Sequence, residues 1–352
     1  MRKNKKIIVL LLFVLVVFFV GVFLCYYQFF YHSPIVKNTI FKPLNTITFH
    51  HSDVWTAKFS PNGRLIASAS VDSSVKIWDK ESKQLTVSLR HPIGVTYATF
   101  SKDGQYLVTG CYDGIVRLWE LPAGKLIREF KGHAKTVWTV DISPDNKTIV
   151  SGSEDAKINM WDAGSGDLIR SLSDHSLTVW DVKFNPDGTQ FAAGSYDGTI
   201  TIYQTITGKL LKALKGHTQA VVSIAYSHKG DILSSTSDDC STRLWSTNDW
   251  SQIRSFSVPE HVQAVVFSPD DNFLVTGGRD KPAIGEFLQN FFGDSKYNKG
   301  ISMRLWRVNS GELLQTFSYH TNDVNDVDWS SDGKYVCSAS SDKTVVVWAR
   351  QD

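Results

Sequence analysis

The chain has 352 residues, 42% of them hydrophobic and 20% charged, which is enough for one large folded unit with its own core. Its 37 basic and 35 acidic residues give a net charge of +2, and four of the basic residues lie within the first six positions. The rest of the chain is therefore slightly acidic. This balance excludes the usual basic surface of a nucleic-acid-binding protein.

The N-terminal part has the pattern of a membrane anchor. A basic flank, residues 1–6, precedes an unbroken apolar or aromatic run over residues 7–27. As a helix this run would be roughly 32 Å long, which matches a bilayer core of about 30 Å. We expect a retained anchor, because no cleavage site of small residues follows the run. A cleaved signal peptide is the alternative.

The charges beside this run predict its orientation. Four cations precede it, whereas the next ones, Lys37 and Lys42, lie well beyond it. The positive-inside rule then predicts a cytosolic N-terminus, with everything after a short tether, residues 28–43, in the periplasm, the lumen or the exterior. The alternative is that the C-terminal part is cytosolic. The four cations are Arg2, Lys3, Lys5 and Lys6.

Residues 44–350 repeat one pattern seven times. Each copy holds a short β-branched run, a turn such as Phe59-Ser60-Pro61-Asn62-Gly63, and further alternating runs, the last of which ends in an aromatic residue. The closing aromatics recur about every 42 residues, with one longer interval, and this period predicts a β-propeller. We therefore expect an all-β fold with seven blades, each a four-stranded antiparallel sheet. The closing aromatics are Trp78, Trp119, Trp161, Tyr203, Trp245, Trp306 and Trp348.

A second pattern lies inside the repeat. In six copies a His precedes an Asp by a constant interval, and that Asp comes shortly before the closing aromatic. This arrangement resembles the WD-repeat family, in which a His, a Ser or Thr, the Asp and the Trp of one blade form a buried, hydrogen-bonded tetrad. The resemblance implies a structural role, since a buried carboxylate needs several donors. The implied tetrads are His50, Ser68, Asp72 and Trp78; His91, Thr109, Asp113 and Trp119; His133, Ser151, Asp155 and Trp161; His217, Ser235, Asp239 and Trp245; and His320, Ser338, Asp342 and Trp348.

Two copies depart from the family pattern. The fourth has Ala193 and Tyr203 in place of the hydroxyl and the Trp, so we expect an incomplete tetrad there. In the sixth, His261 lies closer to Asp280 than in the other copies. We therefore expect His261 to lie outside the structural position and to be available for another role.

The resemblance also implies a binding surface. In the family the loops that hold the His and the Asp form the top face, and here they carry several aromatic residues. Trp and Tyr are common in interface hot spots, so we expect a protein or peptide partner at this face. The alternative is that the rings pack between blades. The expected partner-binding residues are Trp55, Tyr112, Trp138, Glu154, Trp180, Tyr196, His261, Arg279, Phe287 and Phe291.

The last two of these residues belong to an insertion at about residues 281–301 in the sixth copy. Phe287, Leu288, Phe291 and Phe292 would share one side of a short helix. Such a segment could be a lid packed on its own propeller, or it could dock a partner or touch a nearby membrane.

Few residues outside the repeat could support catalysis. We find no Gly-rich phosphate loop and no zinc-type Cys or His spacing, and we expect no cofactor and no metal. The sequence therefore predicts a membrane-anchored, noncatalytic scaffold or adaptor that binds a protein or peptide. One alternative is a small ligand or glycan in the central channel. A weaker alternative is an enzyme whose site is built from loops around His261 and the insertion.

Overall fold

The computed structural model describes residues 40–278 and 302–351. The predicted anchor (7–27), residues 28–39 of the predicted tether, Arg279 and the insertion with Phe287 and Phe291 lie outside the described residues. No helix within the described part of the chain is long and apolar enough to cross a membrane.

The described residues form seven antiparallel sheets of four strands, which confirms the predicted propeller. The first described strand is β1 (Phe41–Ile47), which begins before the predicted boundary at residue 44. Blade 1 contains β2 (Val54–Phe59), β3 (Leu65–Ser70), β4 (Ser74–Asp79) and β5 (Leu85–Arg90). Blade 2 contains β6 (Val95–Phe100), β7 (Tyr106–Cys111), β8 (Ile115–Glu120) and β9 (Lys125–Lys131). Blade 3 contains β10 (Val137–Ile142), β11 (Thr148–Ser153), β12 (Ile158–Asp162) and β13 (Leu168–Leu172).

The remaining blades follow the same order. Blade 4 contains β14 (Val179–Phe184), β15 (Gln190–Ser195), β16 (Ile200–Gln204) and β17 (Leu210–Leu214). Blade 5 contains β18 (Val221–Tyr226), β19 (Ile232–Ser237), β20 (Ser241–Ser246) and β21 (Gln252–Ser257). Blade 6 contains β22 (Val262–Phe267), β23 (Phe273–Gly278), β24 (Met303–Arg307) and β25 (Leu313–Phe317). Blade 7 contains β26 (Val324–Trp329), β27 (Tyr335–Ser340) and β28 (Val345–Arg350), with β1 as its outermost strand.

Blade 7 is built from both ends of the repeat region. Strand β1 pairs antiparallel with β28, from Phe41 opposite Arg350 to Ile47 opposite Val345. The Phe41 ring is buried and lies edge-on to Trp329 at 5.5 Å, and Gln315 of blade 6 bonds to both the N–H and the carbonyl of Phe41. The pairing closes the ring and covers an edge that would otherwise be exposed.

The first strands of consecutive blades pack side by side around a central channel. Their third residues bond across blade boundaries: Thr56 Oγ1 accepts the N–H of Ala98 at 3.2 Å, and Asp181 Oδ2 accepts that of Ile224 at 2.9 Å. The same type of bond joins blade 7 to blade 1. Backbone groups that no sheet satisfies are therefore paired between blades.

The predicted tetrads form completely in blades 3, 5 and 7. In blade 3, His133 Nδ1 lies 3.0 Å from Asp155, its Nε2 lies 2.7 Å from Ser151 Oγ, and Trp161 donates its indole N–H to the same hydroxyl at 2.9 Å. Blades 5 and 7 repeat these contacts with His217, Ser235, Asp239 and Trp245 and with His320, Ser338, Asp342 and Trp348.

These contacts keep the buried carboxylates charged. Burial by itself would raise the pKa of Asp155, but the hydrogen bonds from His133 and from the Ala134 amide lower it to about 2. Asp342 is held at a pKa of about 2 in the same way, with His320 as its main partner. Each carboxylate therefore stabilises the fold fully above its ordinary pKa of 3.8, and this stabilisation is lost as the pH falls toward about 2.

In blade 1, three of the four expected tetrad residues are joined by hydrogen bonds. His50 contacts Asp72 and Ser68, each at 2.8 Å, but the indole N–H of Trp78 has no hydrogen-bond partner among the described residues. The tetrad expected from the sequence is therefore incomplete here.

Blade 2 also departs from the prediction. Arg117, four residues after Asp113, binds that carboxylate at 2.7 Å, so Asp113 turns away from His91. His91 keeps its bond to Thr109 at 2.9 Å, and Trp119 donates to the same hydroxyl. Burial, together with the charge of Arg117, lowers the pKa of His91 to about 4, so its ring is neutral at pH 7.

Blade 4 replaces the missing hydroxyl from another strand. His175 bonds to Asp197 at 3.0 Å and to Thr201 Oγ1 at 2.8 Å, so its ring is satisfied although position 193 is Ala. The Tyr203 hydroxyl donates to Asp174 at 3.0 Å. The blade lacks the expected residues but keeps a buried polar network.

We predict that Ser151→Ala destabilises the protein more than Ser68→Ala, by about 1 kcal/mol or more, because it leaves the buried indole N–H of Trp161 without an acceptor. In blade 1 the Trp78 N–H has no such bond to lose. Urea unfolding of the purified full chain, followed by tryptophan fluorescence, measures the difference. Equal losses for the two variants would contradict the assigned role of Ser151.

Candidate functional site: the aromatic upper face

We call the end of the ring that carries the loops with the His and Asp residues the upper face. In each of six blades the residue before the Asp donates its N–H to the carbonyl of the third residue after the His, as in Glu154 to Thr136 at 2.9 Å and Tyr196 to Thr178 at 2.8 Å. The two loops of a blade are thereby held together. Positions that are distant in sequence form one surface.

A β-bulge directs the second residue of each first strand toward this face. The register between the first and second strands shifts around Trp55 in blade 1, Trp138 in blade 3 and Trp180 in blade 4. A bulged residue leaves the regular alternation of the strand, and its side chain can be aimed out of the sheet. The bulge is why three tryptophans reach the upper face.

Five predicted residues meet there in an aromatic cluster, which consists of Trp55, Tyr112, Trp138, Trp180 and Tyr196. Trp138 stacks on Trp180 with ring centroids 4.5 Å apart and planes at 18°, and it meets Trp55 and Tyr112 edge-on at 5.6 Å. Trp55 donates its N–H to the Tyr112 hydroxyl at 2.9 Å. Tyr196 extends the cluster from Trp180 at 6.2 Å.

The cluster reaches across the ring. Trp55 of blade 1 and Trp138 of blade 3 touch although blade 2 separates them, so both rings lean toward the channel axis. In blade 2 the bulge position holds the short, buried Thr96 in place of a tryptophan. Tyr112 packs against Gly94, where an added Cβ would come within 2.9 Å of the tyrosine ring. The aromatic cluster therefore covers part of the upper end of the channel.

The cluster is accessible to a partner. The three tryptophans and Tyr112 are half-buried, whereas Tyr196 is 50% exposed. The indole N–H of Trp138 is buried and has no acceptor among the described residues. A buried donor without an acceptor costs free energy, and packing of the ring does not explain it.

The other predicted residues surround the cluster or lie apart from it. Glu154 is exposed and forms a loose ion pair with Lys135 at 3.5 Å, which contributes little to stability. His261 lies in blade 6 and bonds to the side chain of Gln263 at 3.0 Å. The hydroxyl and the closing aromatic of this blade still pair, because Thr276 accepts the indole N–H of Trp306. Within the described residues, His, Cys, Asp and Glu side chains form no group that could hold a metal ion.

The repeat has a counterpart among known families. The model described as "WD domain, G-beta repeat" matches residues 41–79, 83–120, 124–162, 166–204, 208–246, 250–281 and 311–349. The chain belongs to this family. Apart from the sixth, each matched segment runs from the outer strand of one blade to the third strand of the next, so a WD repeat spans two blades.

Individual WD-repeat proteins match over shorter regions. The chain is 30% identical over 118 residues to nuclear distribution protein PAC1 of Arthroderma benhamiae, a region that is 33% of this chain and 23% of that protein. It is 34% identical over 119 residues to Elongator complex protein 2 of Rattus norvegicus, covering 30% and 12%. It is also 28% identical over 130 residues to a subunit of chromatin assembly factor 1 of Gallus gallus, covering 33% and 22%. The matched region is less than a quarter of each of these relatives.

Sequence reasoning missed a second set of polar residues, which lines the channel of the WD-repeat propeller. The third and fifth residues of the first strands face the channel, and they include Lys58, Tyr97, Asp141, Lys183, Asp326 and Asp328. The signal for this channel lining was the presence of Lys58 and Lys183 at the fifth position of two strands whose other residues are mostly buried.

We predict that Trp180→Ala lowers the free energy of unfolding by about 1 kcal/mol, because it removes mainly one stacked aromatic pair from a half-exposed surface. Trp161→Ala should cost about 3–5 kcal/mol, because that ring is fully buried and its N–H is bonded. Thermal and urea unfolding of the two variants gives the comparison. A loss for Trp180→Ala as large as that for Trp161→Ala would make the aromatic cluster part of the core.

Proposed function

We propose that this WD-repeat propeller is a noncatalytic scaffold or adaptor that binds a protein or peptide segment on its upper face, with the aromatic cluster as the main contact. The observation that carries the proposal is the convergence of three tryptophans and two tyrosines from blades 1 to 4 on one half-exposed surface. Large aromatic side chains contribute most of the binding energy in many interfaces. The cluster extends over four blades, and this breadth suits a polypeptide better than a small ligand.

The names of the relatives agree with this role. One matched protein is named as a component of the Elongator complex and another as a subunit of chromatin assembly factor 1. We therefore propose assembly with other proteins as the role of this chain, and we do not propose that it belongs to the complexes named for its relatives. Glu154 and the half-exposed His261 would lie at the edge of the bound segment. Arg279, Phe287 and Phe291 stay candidates for partner binding from the sequence alone.

The aromatic cluster lacks the features of a catalytic site. Its polar groups are indole N–H and phenol groups, and the acid predicted for this face, Glu154, is exposed and pairs with Lys135. The buried Ser, His and Asp residues of the tetrads are hydrogen-bonded to one another. The proposed work of the upper face is therefore recognition.

Photo-crosslinking tests the proposed face. We expect a photoreactive phenylalanine analogue at Tyr196 to trap a discrete partner in cells, and the double variant Trp138→Ala, Trp180→Ala to reduce that product several-fold. The matched control is the same analogue at Ile206, which is 85% exposed at the opposite end of the same blade. Equal products from both positions, or a product that survives the double variant, would contradict the assignment.

We further propose that residues 7–27 anchor the propeller to a membrane, with the N-terminus cytosolic and the propeller in the periplasm, lumen or exterior. The support is the apolar run of 21 residues and the four cations that precede it.

In sealed, cytosol-facing vesicles we expect the propeller to resist protease until detergent is added, and alkaline carbonate should leave it in the pellet. Replacing Arg2, Lys3, Lys5 and Lys6 with Gln should weaken the protection, because the orienting charges are gone. Complete digestion of the wild-type propeller without detergent would place it in the cytosol, and extraction of the protein by carbonate would contradict the anchor.

A further inference from the structure

The lower end of the central channel opens into a cavity of about 450 Å³. We call this end the lower face; its border is formed by turns between the first and second strands of several blades, at Phe100–Lys102, Asn185–Pro186 and Ser227–His228. The volume is within the range of sites that hold small molecules. The aromatic cluster lies at the other end of the channel, so the two sites are separate.

The cavity results from unequal side chains around the channel. Blades 5 and 6 contribute the short residues Ser223, Ala225 and Val266 at positions that face inward. The opposite wall carries long or charged residues on blades 1 to 4 and 7. The short side chains leave space in front of the charged ones.

Two of the three lysines that line the cavity, Lys58 and Lys183, are already neutralised. Lys58 Nζ binds Asp326 Oδ1 at 2.7 Å, and Lys183 Nζ binds Asp181 Oδ1 at 2.6 Å. Lys183 also donates to the Tyr97 hydroxyl at 2.8 Å and to a backbone carbonyl, which uses all three of its N–H groups. Neither lysine therefore leaves a net positive charge for a ligand.

Two further carboxylates lack a salt bridge. Asp141 accepts the N–H groups of Phe184 at 2.8 Å and Ile142 at 3.0 Å, and Asp328 accepts that of Phe59 at 2.7 Å. Within the described residues neither forms a salt bridge with a cation.

Burial raises the pKa of both carboxyl groups to about 6, against the opposing effect of the nearest lysine and the backbone N–H groups. Both are mainly ionised at neutral pH. Inside the channel, the charges of Asp141 and Asp328 are therefore not balanced by Lys58 and Lys183, and the third lysine of the lining, Lys102, is exposed at the border.

We propose that this cavity binds a small organic cation with an amino or guanidino group at each end, one for Asp141 and one for Asp328. The two aspartates belong to blades 3 and 7, which lie on different sides of the ring, and both line the cavity. The rings of Phe184 and Phe267 line the same cavity and suit the methylene chain of such a molecule, whereas the Tyr97 ring already carries the ammonium group of Lys183 at 4.6 Å.

The chemistry favours an organic dication over a metal ion. Hard divalent cations need six or more oxygen ligands close together, and the described residues contain no group of acidic side chains that could hold a metal. Charged N–H groups, in contrast, bind single carboxylates well. The methylene chain between the two ends of an organic dication is stabilised by contact with apolar side chains.

Titration calorimetry of the full chain tests the inference with 1,4-diaminobutane as the probe. We expect 1:1 binding at neutral pH, weaker binding of n-butylamine, and none of 1,4-butanediol, which matches the length but lacks charge. Binding of the diol as tight as that of the diamine, or no heat from the diamine at about 10 mM, would overturn the proposal. This comparison uses only the wild-type protein.

Variants then locate the site. Asp141→Asn and Asp328→Asn keep one acceptor oxygen for the backbone and should each weaken diamine binding about tenfold or more. Ala225→Leu should also abolish binding, because it fills the cavity without changing its charge. Trp180→Ala on the upper face should leave the affinity unchanged, which separates this site from the partner surface. Unchanged affinity in both aspartate variants would show that the diamine binds elsewhere.

Discussion

The pairing of β1 with β28 is the interaction on which the other features of the propeller depend. Without it blade 7 would expose an edge to solvent, and its packing with blade 6 would lose the buried ring of Phe41. The bonds between first strands then tie the last blade to the first, where Asp326 accepts the N–H of Ala57 at 3.2 Å. A closed ring holds the loops of seven blades in fixed positions, so side chains from blades 1 and 3 can meet above the channel.

The buried tetrads illustrate how one set of residue types can have different roles. In blade 3, Ser151, His133 and Asp155 form a hydrogen-bonded chain in the order that serine hydrolases use. Here the serine hydroxyl is completely buried and also accepts the N–H of Trp161, so no substrate can reach it. The chain of bonds fixes a loop. Recognition is left to residues outside this network, which the β-bulges direct to the surface.

Much of this organisation could be predicted from the sequence, because His, Asp and Trp recur at a fixed spacing, once in most blades. The spacing predicted the seven blades, and the resemblance to the WD-repeat family implied the tetrads of blades 3, 5 and 7 and the five aromatics on one face. It could not predict that Arg117 would take Asp113 from His91, or that Thr201 would serve His175 from a neighbouring strand, since both depend on side-chain competition within the folded sheet. The channel carboxylates were missed because the bulge at the second position changes which residues of the first strand face inward.

The closure of blade 7 also has a consequence for the order in which the chain folds. Phe41 is synthesised before all of blades 1 to 6, but its partner Arg350 is made only after them. Six blades can therefore assemble while the chain is still growing, and the seventh must wait until β28 has been made. Until then β1 is an unpaired strand with an aromatic side chain that has no place to pack. Contacts between segments so distant in sequence generally form slowly, and unpaired strand edges generally favour aggregation until they are covered.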